Sequence, residues 1–383
     1  MIQGGPALIN NNNNNVNNKM KKNFNFGLLL MLGATLFTAC SDDDEPPFVT
    51  SPVTVTEGMF VLNEGAYFSG ISGSLSYLDY SSQTLSNGVF AAKNGRSLGG
   101  TPNDMLIYGS KMYIAVTDEN RVEVLNASTL ESLGFVAMTQ PRKLAATQGR
   151  VFVTSYTGTV SSVDTVQQEV VATSEKIGAN LEGIAVRGQY LYVCNAWNND
   201  YTYHKNVVKL QASTLAKVKD ITVTDNPVRI ATDGTDIYVQ STGNYADIAP
   251  SIQKLDADDQ VTPLCQGTYM SYANQKIYYI SMTYDENWNA ITRYGVYDLV
   301  KGEDATFIQG DEVFSPCGIA ADPHSGQVYI SSNNQGAMGG IDYAGPGYIV
   351  AYGSDGTLLK KYDAGVAPSV FLFNTVIQTA PQE

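Results

Sequence analysis

Chemistry in a protein needs nucleophiles, bases or metal ligands at workable spacings, and this chain is poor in all of them. Its two histidines are His204 and His324, the latter inside an Asp-Pro-His-Ser-Gly turn. Neither a histidine-based metal site nor a Ser-His-Asp triad can be assembled from that pair. The four cysteines, Cys40, Cys194, Cys265 and Cys317, match no metal-binding spacing. In an oxidising compartment the last three cannot all pair within one chain, which leaves a Cys265–Cys317 disulfide open. No glycine-rich phosphate loop occurs, and no set of acids recurs at equivalent positions to hold a calcium ion. What the chain has instead is aromatic rings set beside amides and carboxylates. They are Tyr67 and Phe68; Trp197, Tyr201 and Tyr203, followed by His204; Tyr245; Tyr284 and Trp288; and Tyr343 near Met338. Rings bury area at low entropic cost while amides orient a ligand, so this is the chemistry of recognition rather than of catalysis.

Those segments are positioned by a repeat. Residues 101–116 read as a β-hairpin, two short apolar runs around Tyr-Gly-Ser-Lys. The design recurs around Pro141, Leu181, Pro227 and Gly267, with the leading residue ten positions before the second apolar run, and around Pro316 with a turn two residues longer. A copy at Pro368 ends after its first strand. The period of about 40–50 residues and the short strands rich in Val, Ile, Tyr and Thr match four-stranded propeller blades. In the second copy the strands are expected at 103–107, 112–116, 121–125 and 132–138. No stretch longer than two turns has a helical period, so helices should be nearly absent. The chain is therefore expected to be all-β, a seven-bladed β-propeller of four-stranded antiparallel blades. The first blade lacks its own first strand, so residues 369–373 should pair with residues 59–62 and close the ring.

In such a meander the loops from second to third strand share a face with the links between blades, and the aromatic segments all fall there. Turns on the opposite face are short and made of Gly, Asn, Asp, Ser and Lys. In the second and third blades the second-to-third loop is short, Asp118-Glu119-Asn120 and almost nothing. Residues opening the first strands should rim a central channel: Asn103, Asp104, Arg142, Lys143, Glu182, Arg229 and Tyr269. Of these, Asn103, Arg142, Glu182 and Arg229 join the rings as candidate ligand contacts, able to hydrogen-bond a polar group. The apolar residue three places after each leader (Met105, Leu144, Ile184, Ile230, Met270, Ile319, Phe371) reads as a packing position.

The ends carry an address. Residues 1–39 combine an Asn-rich start with a signal peptide beginning at Met20, its apolar run too short to span a membrane. Small residues precede Cys40, the expected lipidated first residue. Residues 40–57 form an acidic tether, 58–375 the propeller and 376–383 a tail. Removing Lys19, Lys21 and Lys22 takes the formal charge from −14 to −17, which repels phosphate backbones and argues against nucleic acid as a partner. The membrane is then touched through the lipid anchor only.

The tyrosine-bearing second strands (Met112-Tyr113-Ile114, Ile237-Tyr238-Val239, Val328-Tyr329-Ile330) resemble those of YncE-like seven-bladed propellers. Together with Cys40 and the acidic run Ser41 to Glu45, the chain resembles the BtuG-type surface lipoproteins of gut anaerobes, which capture cobalamin. The resemblance implies outer-membrane, surface-exposed display and capture of cobalamin or a related corrinoid on one propeller face. It also implies transfer to a TonB-dependent transporter of BtuB type, with no catalysis and no cofactor beyond the transported vitamin. A propeller binding another ligand, glycan or protein, is the alternative. A lactonase- or lyase-type enzyme would require converging acids or histidines that the sequence lacks.

Overall fold

The computed structural model describes residues 50–284, 286, 290–310 and 312–381. Cys40 and the signal segment, Trp288, and the Tyr284 side chain lie outside what is described. Among the described residues no helix is long and apolar enough to cross a membrane.

The described chain is all-β, seven antiparallel sheets in a propeller-like arrangement, six of four strands and one of five. Sheet 2 consists of Pro102–Tyr108, Lys111–Val116, Arg121–Asn126 and Ser132–Ala137, each within one residue of the expected limits. In sheets 3 to 7 the first strands are Pro141–Thr147, Asn180–Arg187, Pro227–Thr232, Tyr269–Ala273 and Ser315–Ala321. In sheet 1 that role falls to the C-terminal strand Pro368–Pro381, which pairs with Thr50–Asn63. Met59 lies opposite Phe373 and Leu62 opposite Val370, the expected register. The paired strands also reach beyond 58 and 375, with Thr50 opposite Pro381, because β-branched Val53, Val55, Val376 and Ile377 suit an extended ribbon.

The second strand of each sheet carries a continuous buried run, since a sheet packed on both faces reads as a continuous apolar run. Tyr113, Tyr192, Tyr238, Tyr279 and Tyr329 occupy this layer with fully buried rings. Four send their hydroxyl to a partner: Tyr192 to Asp259 (2.7 Å), Tyr238 to Asp233 (2.7 Å), Tyr279 to Asp304 (2.6 Å) and Tyr329 to Gln327 (2.6 Å). Each buried ring contributes roughly 1.5–3 kcal/mol of apolar burial, which the satisfied hydroxyl leaves intact. Apolar clusters join neighbouring sheets, 1 to 2, 2 to 3 and onward to 6 to 7. A further cluster sets Tyr329, Ile349 and Ala351 of sheet 7 against Met59, Val61 and Leu78 of sheet 1.

One short α-helix, Val89–Asn94, interrupts the strands where sheet 1 passes to sheet 2. It buries Phe90 and is tied down by Asn94, whose side chain donates to Leu130 O (2.9 Å) and accepts from Ser132 N (2.8 Å). All three described cysteines are free. Cys265 closes the outermost strand of sheet 5, whereas Cys317 sits on the innermost strand of sheet 7, so the disulfide left open by the sequence does not form.

Candidate functional site

Backbone hydrogen bonds place the second-to-third loops and the inter-sheet links on one face. Thr117 N donates to Thr101 O (3.1 Å), Tyr156 N to Gln140 O (3.2 Å), Thr242 N to Asn226 O (2.9 Å) and Glu64 N to Ala367 O (2.9 Å). Below this loop face the first strands surround a cavity of about 760 Å³, lined from Glu64 and Asn333 down to Ala321 and Pro323. The seven recurring apolar residues, Met105 to Phe371, all line it. They therefore form the channel wall as well as inter-sheet packing.

A bulge sets which side chains reach the top of the channel. In sheets 2, 3, 4, 5 and 7 the register slips just after the leading residue of the first strand, and in sheet 1 it slips beside Pro368. The residues left unpaired include Asn103, Arg142, Lys143, Glu182, Cys317 and Ser369. A bulge bends its strand and re-aims a side chain. Of these residues Lys143, Cys317 and Ser369 line the cavity, whereas Asn103, Arg142 and Glu182, expected at the channel, do not and are engaged beside it instead.

Three of the candidate contacts are engaged with one another. The Arg142 guanidinium donates to both oxygens of Glu182 (2.8 and 3.2 Å) and to Asn103 Oδ1. Tyr156 donates its hydroxyl to Glu182 (2.7 Å), and its ring lies 4.3 Å from the guanidinium. Asn103 in turn donates to Thr101 O (2.8 Å) and Thr117 Oγ1 (2.9 Å). Burial works to raise the Glu182 carboxyl, but Arg142 and Lys143 beside it, with the Arg142 and Tyr156 hydrogen bonds, hold it below the usual carboxylate range. Burial, then the Glu182 charge, pushes the Tyr156 hydroxyl up, so it remains a donor. Arg229 forms a separate group, donating to Gln240 (3.0 Å) and Thr268 O (3.1 Å) with its guanidinium 4.2 Å from the Tyr269 ring.

The rings form a partly continuous rim. Trp197 is half-buried between Tyr156 (5.7 Å, edge-on) and Tyr201 (5.8 Å, stacked), while Tyr203 meets Tyr245 at 5.9 Å and so bridges the loops of sheets 4 and 5. Tyr201 and Tyr245 are 75% and 77% exposed. Both have left-handed backbone, φ 64° and 55°, a conformation that costs a tyrosine about 1 kcal/mol. On sheet 1, Tyr67 and Phe68 ride a single 3₁₀ turn and touch edge-on at 5.4 Å, with Phe68 fully exposed. Met338 and Tyr343 are exposed on the sheet 7 loop. His204 is bonded within its own loop, Nε2 to Asn198 Oδ1 at 2.8 Å. Tyr284 ends the second strand of sheet 6.

Tyr156 is the contributor that sequence reasoning missed; Glu64 and Asn333 open loops that the sequence places on this face, without being singled out as contacts. The third blade was expected to have almost no loop, yet Tyr156 directly follows its second strand Arg150–Ser155 and anchors both Glu182 and Trp197. An aromatic at a strand exit was the available signal. Among the described residues no group of three or more His, Cys, Asp or Glu side chains gathers as a metal site.

Fold and face together describe an all-β, propeller-like protein with an aromatic-rimmed cavity. Over residues 57–374 the chain matches the family described as a domain of unknown function, DUF5074, and it belongs to that family. No curated protein matches it. Among solved structures it is similar to the Kuenenia stuttgartiensis hydrazine synthase, at 16% identity and a TM-score of 0.58, over 73% of this chain and 95% of that one. It is also similar to the computationally designed Ika8 protein (9% identity, TM-score 0.47, 70% and 88% covered) and to U3-55K (10%, 0.49, 69% and 81%). At such identities the likeness to the first is one of fold alone.

Proposed function

We propose that the seven sheets form a closed seven-bladed β-propeller, lipid-anchored at Cys40 on the outer surface of an outer membrane. In this reading the loop face captures cobalamin or a related corrinoid and passes it to a TonB-dependent transporter of BtuB type, without catalysing a reaction. The cluster between sheets 7 and 1 supports closure, because it gives the last sheet the same apolar partner that every other sheet has. Deleting residues 366–383 removes the inner strand of sheet 1 and should yield aggregated or polydisperse protein on a sizing column. A monomer with unchanged melting temperature would refute closure.

One observation carries the capture reading: exposed rings, Phe68, Tyr201, Tyr245 and Tyr343 among them, stand on the loop face above a cavity whose wall mixes apolar and polar side chains. Solvent-exposed aromatics at such density mark a binding surface. A large, flat ligand edged with amide arms suits rings at the rim and hydrogen-bonding groups within. Soluble protein comprising residues 41–383, mixed with cyanocobalamin and passed over a sizing column, should elute coloured. A colourless protein peak would remove the corrinoid. A glycan is then the next ligand to try, because the open ring of Tyr201, stacked on Trp197, offers a platform for a sugar face.

A further inference from the structure

Two charged side chains at the loop-face end of the cavity are not accounted for by the rim or by the Arg142–Glu182 pair. Glu64 is fixed at its backbone by Ala367 (2.9 Å) and lines the cavity, yet among the described residues its carboxylate has no hydrogen-bond or ion-pair partner. Its charge helps to raise the Tyr269 hydroxyl and the Cys317 thiol, whose main cause in each case is burial. Arg229 directs Nη1 to Gln240 and Thr268, while Nη2 and Nε have no partner among the described residues. Asn333 lines the same cavity at 8% exposure, and its Oδ1 is buried with no partner. Ser369 Oγ is a second buried, unpartnered polar atom of the wall.

Leaving buried polar groups unpaired costs about 1–3 kcal/mol each, so a ligand group that supplies the missing partners gains by doing so. Its free groups are a carboxylate and an amide oxygen that accept, and a guanidinium edge that donates. An incoming carboxylate would meet Glu64, and an ammonium would meet Arg229. A neutral group carrying N–H donors beside a carbonyl acceptor offends neither charge and satisfies both.

We propose that Glu64, Arg229 and Asn333 form a receptor for a primary carboxamide, which takes one amide arm of the captured ligand into the channel. The identity of the ligand bearing that arm rests on the corrinoid reading; the receptor for the amide does not. Isothermal titration of cyanocobalamin against its monocarboxylate, in which one side-chain amide is hydrolysed, reads the preference. Wild type should favour the amide form by at least about tenfold, the scale of one like-charge encounter. Glu64→Gln should bring the two ligands within about threefold of each other while leaving the melting temperature unchanged. A ratio that Glu64→Gln does not move overturns the receptor. Arg229→Met should weaken the amide form. Because Arg229 also braces Gln240 and Thr268, Glu64→Gln decides alone if that variant does not fold. Where wild type binds no corrinoid at all, saturation-transfer NMR with propionamide and propionate reads the channel directly. A propionamide signal that propionate does not share and that Arg229→Met abolishes keeps the receptor and removes only the corrinoid. No signal, or equal signals, overturns the receptor.

Discussion

The two faces of this molecule treat the same residue types in opposite ways. On the turn face many hairpin corners are closed by a carboxylate or amide accepting backbone N–H groups. Asp164 accepts from Val166 and Gln167 (2.8 and 2.9 Å), Asp233 from Thr235 and Asp236 (2.8 and 2.6 Å), and Asp298 from Val300 and Lys301 (both 3.0 Å). Hydrogen bonds within the turn lower the Asp298 and Asp355 carboxyls below the ordinary range, and at Asp233 they do so against burial. Side chains there are consumed in holding the chain. On the loop face, rings stand in solvent, two of them on backbone that favours glycine, and the cavity wall keeps polar atoms without partners. The turn face uses its polar side chains to hold its own corners, whereas the loop face leaves rings exposed and polar atoms of the cavity wall unpartnered.

The largest test of this contrast is on the turn face. Asp259 binds Lys209 (2.7 Å), Lys219 (2.9 Å), Tyr192 (2.7 Å) and Arg187, locking the corner of sheet 5 to sheet 4. Burial works to raise its carboxyl, but the Lys209, Lys219 and Tyr192 hydrogen bonds outweigh it and hold the group at about 2. Asp259→Asn leaves three cations facing a neutral amide and should cost about 3 kcal/mol in urea denaturation, with ligand affinity unchanged. A carboxyl depressed on folding stabilises fully above its unfolded value, 3.8, and loses that contribution as pH falls towards 2. Wild-type stability should therefore drop between about pH 4 and pH 2, with Asp259→Asn lacking this component. If Asp259→Asn weakens ligand binding instead, the separation of faces fails.

The converse test is on the loop face. Changing Tyr201 and Tyr245 to glycine removes two exposed rings and relaxes two left-handed residues. Ligand affinity should fall by about 2 kcal/mol in total. Stability should stay level or rise by about 1 kcal/mol. Loss of stability with unchanged affinity would make these rings scaffold and the loop face no different in kind from the other.

Much of the scaffold was legible because each strand is a short β-branched and aromatic run bounded by turn residues, and because the truncated copy at Pro368 demands a partner. Hence the strands of sheet 2 and the pairing of Met59 with Phe373 followed from pattern alone. The helix Val89–Asn94 did not, since six residues after a glycine hold too little period to be seen, and Phe90 takes its place through burial. The bulges were illegible for a different reason: they arise where strands converge on the channel, and nothing local marks the slip. Their consequence was nevertheless half visible. Asn103, Arg142 and Glu182 each follow a leading residue and were expected at the channel, but they bond one another beside the cavity and do not line it. Glu64 and Asn333 fell in the expected loops, but their lack of partners was illegible, because an unpaired group is defined by what surrounds it.

The finest test compares two aspartates. Asp259 is compensated by three cations, whereas burial raises the Asp104 carboxyl in the channel wall, opposed by Lys143 and by Leu144 N, which donates to it at 2.8 Å. A carboxyl raised on folding works in the opposite sense to Asp259. The fold favours its neutral form, and stability is lost as pH rises through the folded value. Asp104→Asn supplies that neutral form permanently while its carbonyl still accepts from Leu144. At pH 7 it should raise stability by about 1 kcal/mol. The gain should vanish as pH falls below the ordinary carboxylate range, where wild type becomes neutral as well. Thermal melts of both proteins from pH 7 to pH 3 measure this directly. A destabilised Asp104→Asn at pH 7 would mean that Lys143 compensates the channel carboxylate as fully as the turn face compensates its own, and the contrast between the faces would then stop at the loops.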